Sequence, residues 1–314
     1  MSRDERSRQA KFLERLARRI FIPKGQNMTE VMLELKKFRG KERNYSLPIL
    51  AKMMDSFETD RFHDVQTFYI NKDSNKDYTI MYLHGGAYVS EMNIFHWVLL
   101  DKIARSLECL MLIPDYPLAP LHTYEESYDK LTRMYIEYIT RFPEQKIILM
   151  GDSAGGGLAL GLAEYFGQKG IRQPDKLILL SPWVDLNMDN RDIDRYIDVD
   201  PTLKRNELLA DAIYWANRTS LHDYRLSPIY GDVSMLKEVH LFVGTHEIFY
   251  PDVMKMYEKL LENGVKATVT VGEGLNHVYP AYPIPEADEA IRHMIELIKM
   301  DKESLLIHSF FFLL

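Results

Sequence analysis

The sequence contains almost no cysteine: one residue of this type occurs among 314. No disulfide can therefore form within the chain. Cys109 lies in the apolar run Leu107–Ile113, where a buried thiol is more common than a reactive one. Because chains with so little cysteine suit a reducing compartment, we expect a cytoplasmic location.

Long apolar runs and an excess of positive charge are also missing. No run approaches the roughly 18 apolar residues of a membrane span, and the first residues lack the apolar centre of a signal peptide. The 39 Lys and Arg residues are outnumbered by 46 Asp and Glu, which gives a formal net charge of -7. We therefore expect no broad basic surface and no nucleic-acid partner. A small-molecule substrate fits this composition, and a homodimer stays open.

The N-terminal region is rich in helical patterns. From Asp4 to about Ile22, apolar residues recur at helical spacing, and basic residues dominate the remaining surface. Such a helix can lie on an anionic membrane or pack over a core; we expect the second, and therefore no membrane binding. Methionine-rich helical patterns continue over 26–57, and such helices form either an adaptable lid or plain core. We predict an N-terminal helical cap over 1–60.

The rest of the chain alternates short apolar runs with helical segments. The runs predict strands at 65–70, 78–83, 109–115, 146–150, 176–180, 240–243 and 267–271, and the helical patterns cover 124–141, 154–168, 251–263 and 285–302. Strands that alternate with helices form a mostly parallel sheet covered on both faces. The predicted fold class is therefore α/β, with a core domain over 61–314.

An acidic segment at about 186–220 interrupts this alternation. Its aspartates are closely spaced, but no glycine lies where a calcium loop needs its turn, and no glutamate follows at the required offset. We therefore expect no metal site there. The segment is interpreted as a solvated insertion that belongs to the cap.

The strand predicted at 146–150 leads into the clearest chemical signal. It ends in Gly-Asp-Ser-Ala-Gly at 151–155, which fits the G-x-S-x-G nucleophile elbow between a strand and a helix. In this turn Ser153 is strained and its hydroxyl projects above the sheet. Amides at the start of the following helix can stabilise negative charge on a substrate oxygen. The alternative is a glycine-rich turn without chemistry.

A nucleophilic serine needs a histidine as its base and a carboxylate that orients the histidine. His277 lies in the loop after the last predicted strand and follows a candidate acid, which gives the order serine, acid, histidine of α/β-hydrolases. The alternative for His277 is an ordinary loop histidine. Glu247 and Asp252 both follow the strand 240–243. We expect Glu247 to be the acid, whereas Asp252 can stabilise a helix N-terminus.

The strand predicted at 78–83 is followed by a second candidate segment, His-Gly-Gly-Ala-Tyr at 84–88. Consecutive glycines let backbone amides approach a ligand closely. Such amides form an oxyanion hole when they meet the negative charge that develops in acyl transfer. The segment is therefore a candidate oxyanion loop, with a plain tight loop as the alternative.

Three segments together resemble a known family. His-Gly-Gly-Ala at 84–87, Asp-Tyr-Pro-Leu-Ala-Pro at 115–120 and Gly-Asp-Ser-Ala-Gly-Gly at 151–156 are similar to the hormone-sensitive-lipase-like carboxylesterases of bacteria. Ser-Pro-Trp-Val-Asp at 181–185 also looks like a segment of this family. The resemblance extends roughly from residue 80 to residue 280 and implies an α/β-hydrolase fold with about eight strands and an N-terminal helical cap.

The resemblance also implies roles for individual residues. The implied nucleophile is Ser153 and the implied base is His277. The implied oxyanion-hole amides are those of Gly85, Gly86 and Ala154. We expect supporting roles for Asp152 and Asp252. Two positions depart from the family, which commonly has Arg where Pro117 stands and Asp where Glu247 stands. The first departure puts a structural ion pair in question; the second concerns the acid, although glutamate also serves as the acid in this fold.

The expected function is that of a serine carboxylesterase. It would hydrolyse small, short-acyl carboxylic esters through an acyl-enzyme intermediate, without a metal or cofactor. An amide or N-formyl hydrolase is the alternative enzyme, because arylformamidases resemble the same His-Gly-Gly and Gly-Asp-Ser-Ala-Gly segments. A non-catalytic ligand-binding module is the alternative from another class, and the presence of Ser153 and His277 counts against it.

Overall fold

A computed structural model describes most of the chain. The described residues are 5–21, 28–39, 45, 47–54, 56–62 and 64–300. Both ends of the helix predicted at 4–22 and the last two residues of the helix predicted at 285–302 lie outside them.

An eight-stranded sheet forms the centre of the molecule. Its strands are β1 (Phe57–Phe62), β2 (Val65–Ile70), β3 (Tyr78–Leu83), β4 (Leu110–Pro114), β5 (Lys146–Asp152), β6 (Lys176–Leu180), β7 (Glu238–His246) and β8 (Lys266–Asn276). Their order across the sheet is β1-β2-β4-β3-β5-β6-β7-β8. β1 pairs with β2 and β2 with β4 in antiparallel fashion, and every other pairing is parallel. The mostly parallel sheet predicted from the alternating pattern is confirmed.

Nine α-helices occur in the described part of the chain. They are α1 (Arg8–Ile20), α2 (Met28–Arg39), α3 (Ile49–Lys52), α4 (Ile94–Leu107), α5 (Tyr124–Arg141), α6 (Ser153–Lys169), α7 (Arg205–Ala216), α8 (Tyr250–Glu262) and α9 (Pro285–Lys299). Short 3-10 turns occupy Arg191–Arg195, Pro228–Tyr230 and Tyr279–Ala281. The sequence patterns predicted neither α4 nor β1.

Apolar side chains pack on both faces of the sheet. In β3, Met81 and Leu83 belong to the core with α5, α6 and α8, whereas Ile80 and Tyr82 belong to the core with α4 and α9. This alternation follows from the twofold period of a strand, which directs successive side chains to opposite faces. Helices cover both faces of the sheet. In open α/β sheets of this kind, ligands bind at the carboxyl ends of the parallel strands.

The N-terminal helix α1 makes polar contacts and also packs Ala10 and Leu13 against the core with α4 and α9. The Ser7 amide donates to Glu286 at 2.6 Å, and the Arg18 guanidinium donates to the carbonyl oxygens of Asp198 and Val199 at 3.1 and 2.5 Å. Ala10 is its one buried residue, whereas the exposed apolar side chains include Phe12, Leu16 and Ile20, which are 59%, 40% and 63% exposed. The expectation that the apolar side of this helix packs over the core is therefore wrong for these three residues. No helix among the described residues is long and apolar enough to cross a membrane.

Candidate active site

The turn between β5 and α6 has the geometry of a nucleophile elbow. Ser153 is the first residue of α6 and has a φ of 52°, a left-handed conformation that is strained for a serine. A Cβ atom on Gly155 would lie 2.0 Å from the carbonyl oxygen of Leu83, and one on Gly151 would lie 2.5 Å from that of Gly155. Glycine is required at both positions because the helix starts in contact with the neighbouring strand.

Three predicted side chains meet above the carboxyl ends of the strands. Ser153 follows β5, Glu247 follows β7 and His277 follows β8. The Ser153 Oγ donates to His277 Nε2 at 2.8 Å, and His277 Nδ1 donates to Glu247 Oε2 at 2.5 Å. All three residues are buried, and Ser153 is only 7% exposed. The arrangement allows the histidine to take the serine proton while the carboxylate fixes its tautomer.

The two candidate acids occupy different positions. Glu247 is completely buried, and its Oε1 accepts from the amide of Gly244 and the hydroxyl of Ser181, each at 2.7 Å. Asp252 lies in the first turn of α8, where it accepts from Asn190 at 2.7 Å. Burial raises the pKa of Asp252 to about 6. Of the two candidate acids, Glu247 is the one that hydrogen-bonds to the imidazole of His277.

Opposing effects act on the pKa of His277. Burial lowers this pKa because an imidazolium ion loses its hydration. The charge of Glu247 and its hydrogen bond to the ring raise it, and together with more distant carboxylates they outweigh burial, so the pKa of His277 lies above its ordinary value. The imidazole is therefore a stronger base than a free histidine side chain.

The candidate oxyanion loop is held against the elbow by Asp152. The Gly85 amide donates to Asp152 Oδ1 at 2.8 Å. That amide is therefore already occupied, in contrast to the role predicted for it. Gly86 has a φ of 118°, and no acceptor within the described part of the chain takes its amide or that of Ala87. Ala154 is the second residue of α6, where helix amides have no partner within the helix.

Asp152 accepts two further hydrogen bonds that the sequence patterns did not indicate. The Tyr82 hydroxyl donates to Oδ1 at 2.5 Å and His96 Nε2 donates to Oδ2 at 3.2 Å. The proton of His96 is on Nε2 because its Nδ1 accepts from the Asn93 amide at 2.9 Å. Burial raises the pKa of Asp152, but the attraction of His96 and the three donors outweigh it, and the pKa falls to about 2. Asp152 is thus a buried carboxylate that joins the elbow to the loop at 84–88.

The departure at Pro117 coincides with a carboxylate that lacks a cation. Asp115 forms no ion pair within the described residues, and burial raises its pKa to about 6. The structural ion pair of the family is therefore missing at this position in the part of the chain that the structure describes. Over the same residues, no group of three or more His, Cys, Asp or Glu side chains is arranged to hold a metal ion.

Comparison with known proteins gives relatives over most of the chain. Residues 80–281 match the family model described as the alpha/beta hydrolase fold. An esterase of Acinetobacter venetianus is 30% identical over 222 residues, which cover 69% of this chain and 73% of the relative. A crystal structure of a Staphylococcus aureus protein assigned as an esterase is 28% identical, has a TM-score of 0.82, and covers 88% of this chain and 95% of that one.

A second crystal structure carries the name of the family that the motifs resemble. It is an esterase from the bacterial hormone-sensitive lipase family, with a TM-score of 0.78 and coverage of 95% of this chain and 99% of that one. At 23% identity this second likeness by itself concerns the fold alone. The family model and the relatives together show that the chain belongs to the α/β-hydrolase fold family and is a carboxylic-ester hydrolase.

Proposed function

We propose that Ser153, His277 and Glu247 are the catalytic triad of this carboxylesterase. The observation that carries the proposal is the continuous hydrogen-bonded chain from Ser153 Oγ through both ring nitrogens of His277 to Glu247 Oε2. A serine hydroxyl is a weak nucleophile at neutral pH, and a base at 2.8 Å removes this limitation.

The reaction has two halves that use the same base. In the first, Ser153 Oγ bonds to the ester carbonyl carbon while its proton moves to His277 Nε2; the tetrahedral intermediate then expels the alcohol, which takes that proton. In the second, water gives a proton to His277 Nε2 and its oxygen bonds to the acyl carbon. Ser153 Oγ leaves and recovers the proton, which releases the carboxylic acid.

The oxyanion of both tetrahedral intermediates needs donors near Ser153. We assign this role to the amides of Gly86, Ala87 and Ala154. The amide of Gly85 is replaced in this set because it donates to Asp152. Gly85 and Asp152 instead hold the loop at 84–88 in place. The amides that face the oxyanion are therefore in position before its charge develops.

Small, short-acyl esters are the proposed substrates. The nucleophile is buried, and the Phe249 ring stands edge-on to His277 with ring centroids 5.1 Å apart. Little space beside a buried nucleophile and a packed aromatic ring favours a small apolar acyl group.

The cap is proposed to comprise residues 1–60 and the insertion at about 186–220, above a core over 61–314. Val31 of α2 packs against Ala210 of α7, and Arg18 of α1 donates to the backbone of the insertion. These contacts join the two parts of the proposed cap. A cytoplasmic location, which the low cysteine content favours, and a homodimer are kept as proposals.

A substrate panel tests the proposed function. We expect p-nitrophenyl acetate and butyrate to be cleaved faster than the laurate ester, and all of them faster than the matching anilides and an N-formyl arylamine. Ser153→Ala should lower ester turnover by about four or more orders of magnitude because it removes the nucleophile. Asp252→Asn serves as a control with an altered buried carboxyl group outside the triad. Faster cleavage of the formamide would favour an N-formyl hydrolase, and no cleavage of any compound would favour a binding module.

A further inference from the structure

Ser181 lies at the carboxyl end of β6, between the acid and the base of the proposed triad. Its side chain is completely buried. The Oγ donates to Glu247 Oε1 at 2.7 Å and accepts from the amide of Val278 at 3.0 Å. One hydroxyl group therefore links the acid to the residue that directly follows His277.

The second contact holds a strained piece of backbone. Val278 has a φ of 52°, which is costly for a β-branched residue. Its amide is fixed by Ser181, and the neighbouring imidazole must keep both ring nitrogens in line with their partners. A shift of the loop would move His277 Nε2 relative to Ser153 Oγ, and misplacement by about 1 Å can cost about 100-fold in rate.

The first contact holds the acid. Glu247 has one more rotatable bond than the aspartate common in the family, so its carboxylate needs more contacts to stay in one orientation. The amide of Gly244 and the hydroxyl of Ser181 both donate to Oε1, which leaves Oε2 directed at His277. Without Ser181, one donor would remain on Oε1 and the side chain could turn away from the imidazole.

We propose that Ser181 is a positioning residue of the esterase, which holds Glu247 and the His277 loop in register through one shared hydroxyl. This inference rests on the proposed triad and goes beyond it, because it assigns a role to a residue that touches neither the nucleophile nor the imidazole. The Ser-Pro-Trp-Val-Asp segment thereby gains a function at its first residue.

A double-mutant cycle separates positioning from a purely structural role. Ser181 has a φ of 45°, and Ser181→Ala keeps the Cβ atom, so the steric cost of this left-handed conformation stays similar and only the hydroxyl is removed. We expect kcat for p-nitrophenyl acetate to fall about 10- to 100-fold with KM within about twofold, because both halves of the reaction use the same base. In the Glu247→Gln background the same change should cost at least about threefold less in kcat, since the charge to be positioned is gone and only the contact to the His277 loop is lost.

Ser227→Ala is the matched control. Ser227 is also completely buried, and its Oγ accepts from the Leu186 amide at 2.7 Å, away from the triad. This variant loses the same kind of buried hydroxyl and should keep kcat within about twofold of the wild type. If Ser181→Ala does not fold, Ser181→Cys, which retains a weak donor, enters the cycle in its place.

Two results would overturn the proposal for Ser181. One is a kcat for Ser181→Ala within twofold of the wild type; the other is an equal fold-loss in the wild-type and Glu247→Gln backgrounds, which would indicate an independent structural effect. Failure of the triad itself is visible separately, because Glu247→Gln alone would then leave kcat unchanged.

Discussion

At the scale of single residues, hydrogen bonds distinguish the roles of two carboxylates that lie five positions apart in the sequence. Glu247 reaches the imidazole of His277, whereas Asp252 is turned toward Asn190. We expect Glu247→Gln to lower kcat by roughly three to four orders of magnitude, because the amide cannot stabilise the imidazolium ion. Asp252→Asn should cost on the order of tenfold or less. Steady-state kinetics of the two variants side by side decide the matter, and a larger loss for Asp252→Asn would reverse the assignment.

The residues that sequence reasoning found are those that directly follow strands. Ser153 has a local motif, and His277 and Glu247 have a place in the chain order. Tyr82, His96 and Ser181 were missed because their partners lie 70, 56 and 66 positions away in the sequence, so no local spacing marks them. The resemblance to the family implied that the Gly85 amide belongs to the oxyanion hole, and the glycine pair indicates close backbone approach but not the direction in which each amide points.

At the scale of elements, the elbow and the oxyanion loop act as one unit joined by Asp152. We expect Tyr82→Phe to lower kcat/KM by about tenfold or more, because loss of one of the three donors to this buried carboxylate loosens the loop that carries Gly86 and Ala87. The melting temperature checks that the fold survives. Tyr69→Phe, which removes a hydroxyl from a buried ring on β2, is the control. Wild-type kinetics for Tyr82→Phe would contradict this role of Asp152.

The elements that sequence patterns missed, β1 and α4, show little contrast between an apolar and a polar side in their sequences. In β1 every residue between Phe57 and Phe62 is exposed and polar, because this strand lies at the edge of the sheet. In α4, the buried residues lie on one side of the helix, but apolar Ile94 and Phe95 are exposed, which weakens the contrast between an apolar and a polar side. By contrast, β2, β3, β6 and α5 begin and end at the predicted residues, because apolar runs and turn residues mark both of their ends.

At the scale of the whole molecule, a buried acid makes stability depend on pH. Neither carboxyl oxygen of Glu164 has a hydrogen-bond partner among the described residues, and burial raises its pKa well above the ordinary value of 4.5 despite the attraction of Lys259. Glu164 ionises near pH 4.5 in the unfolded chain, whereas in the folded chain it keeps its proton to a higher pH. The buried carboxyl group of Glu164 therefore lowers the free energy of unfolding as pH rises above about 4.5. Below that pH the group is protonated in both states and this loss is absent.

Glu164→Gln isolates this effect because an amide does not ionise. Relative to the wild type, the variant should gain stability as pH rises above about 4.5, up to the folded-state pKa of Glu164, and the contributions of the other titrating groups cancel in the difference. Urea unfolding of both proteins at several pH values measures it. A difference in unfolding free energy that does not change with pH would show that Glu164 is ionised in the folded protein.

The most direct test of the catalytic role of Ser153 is covalent labelling. We expect a serine-directed organophosphate to inactivate the enzyme with one label per chain, because among the serines that the structure describes only Ser153 has an adjacent imidazole and an elbow that presents its hydroxyl. Peptide mass spectrometry should place the label on Ser153, Ser153→Ala should take up none, and a chelator should change neither result. Stoichiometric labelling at another residue, or full esterase activity in a folded Ser153→Ala protein, would contradict the proposed mechanism.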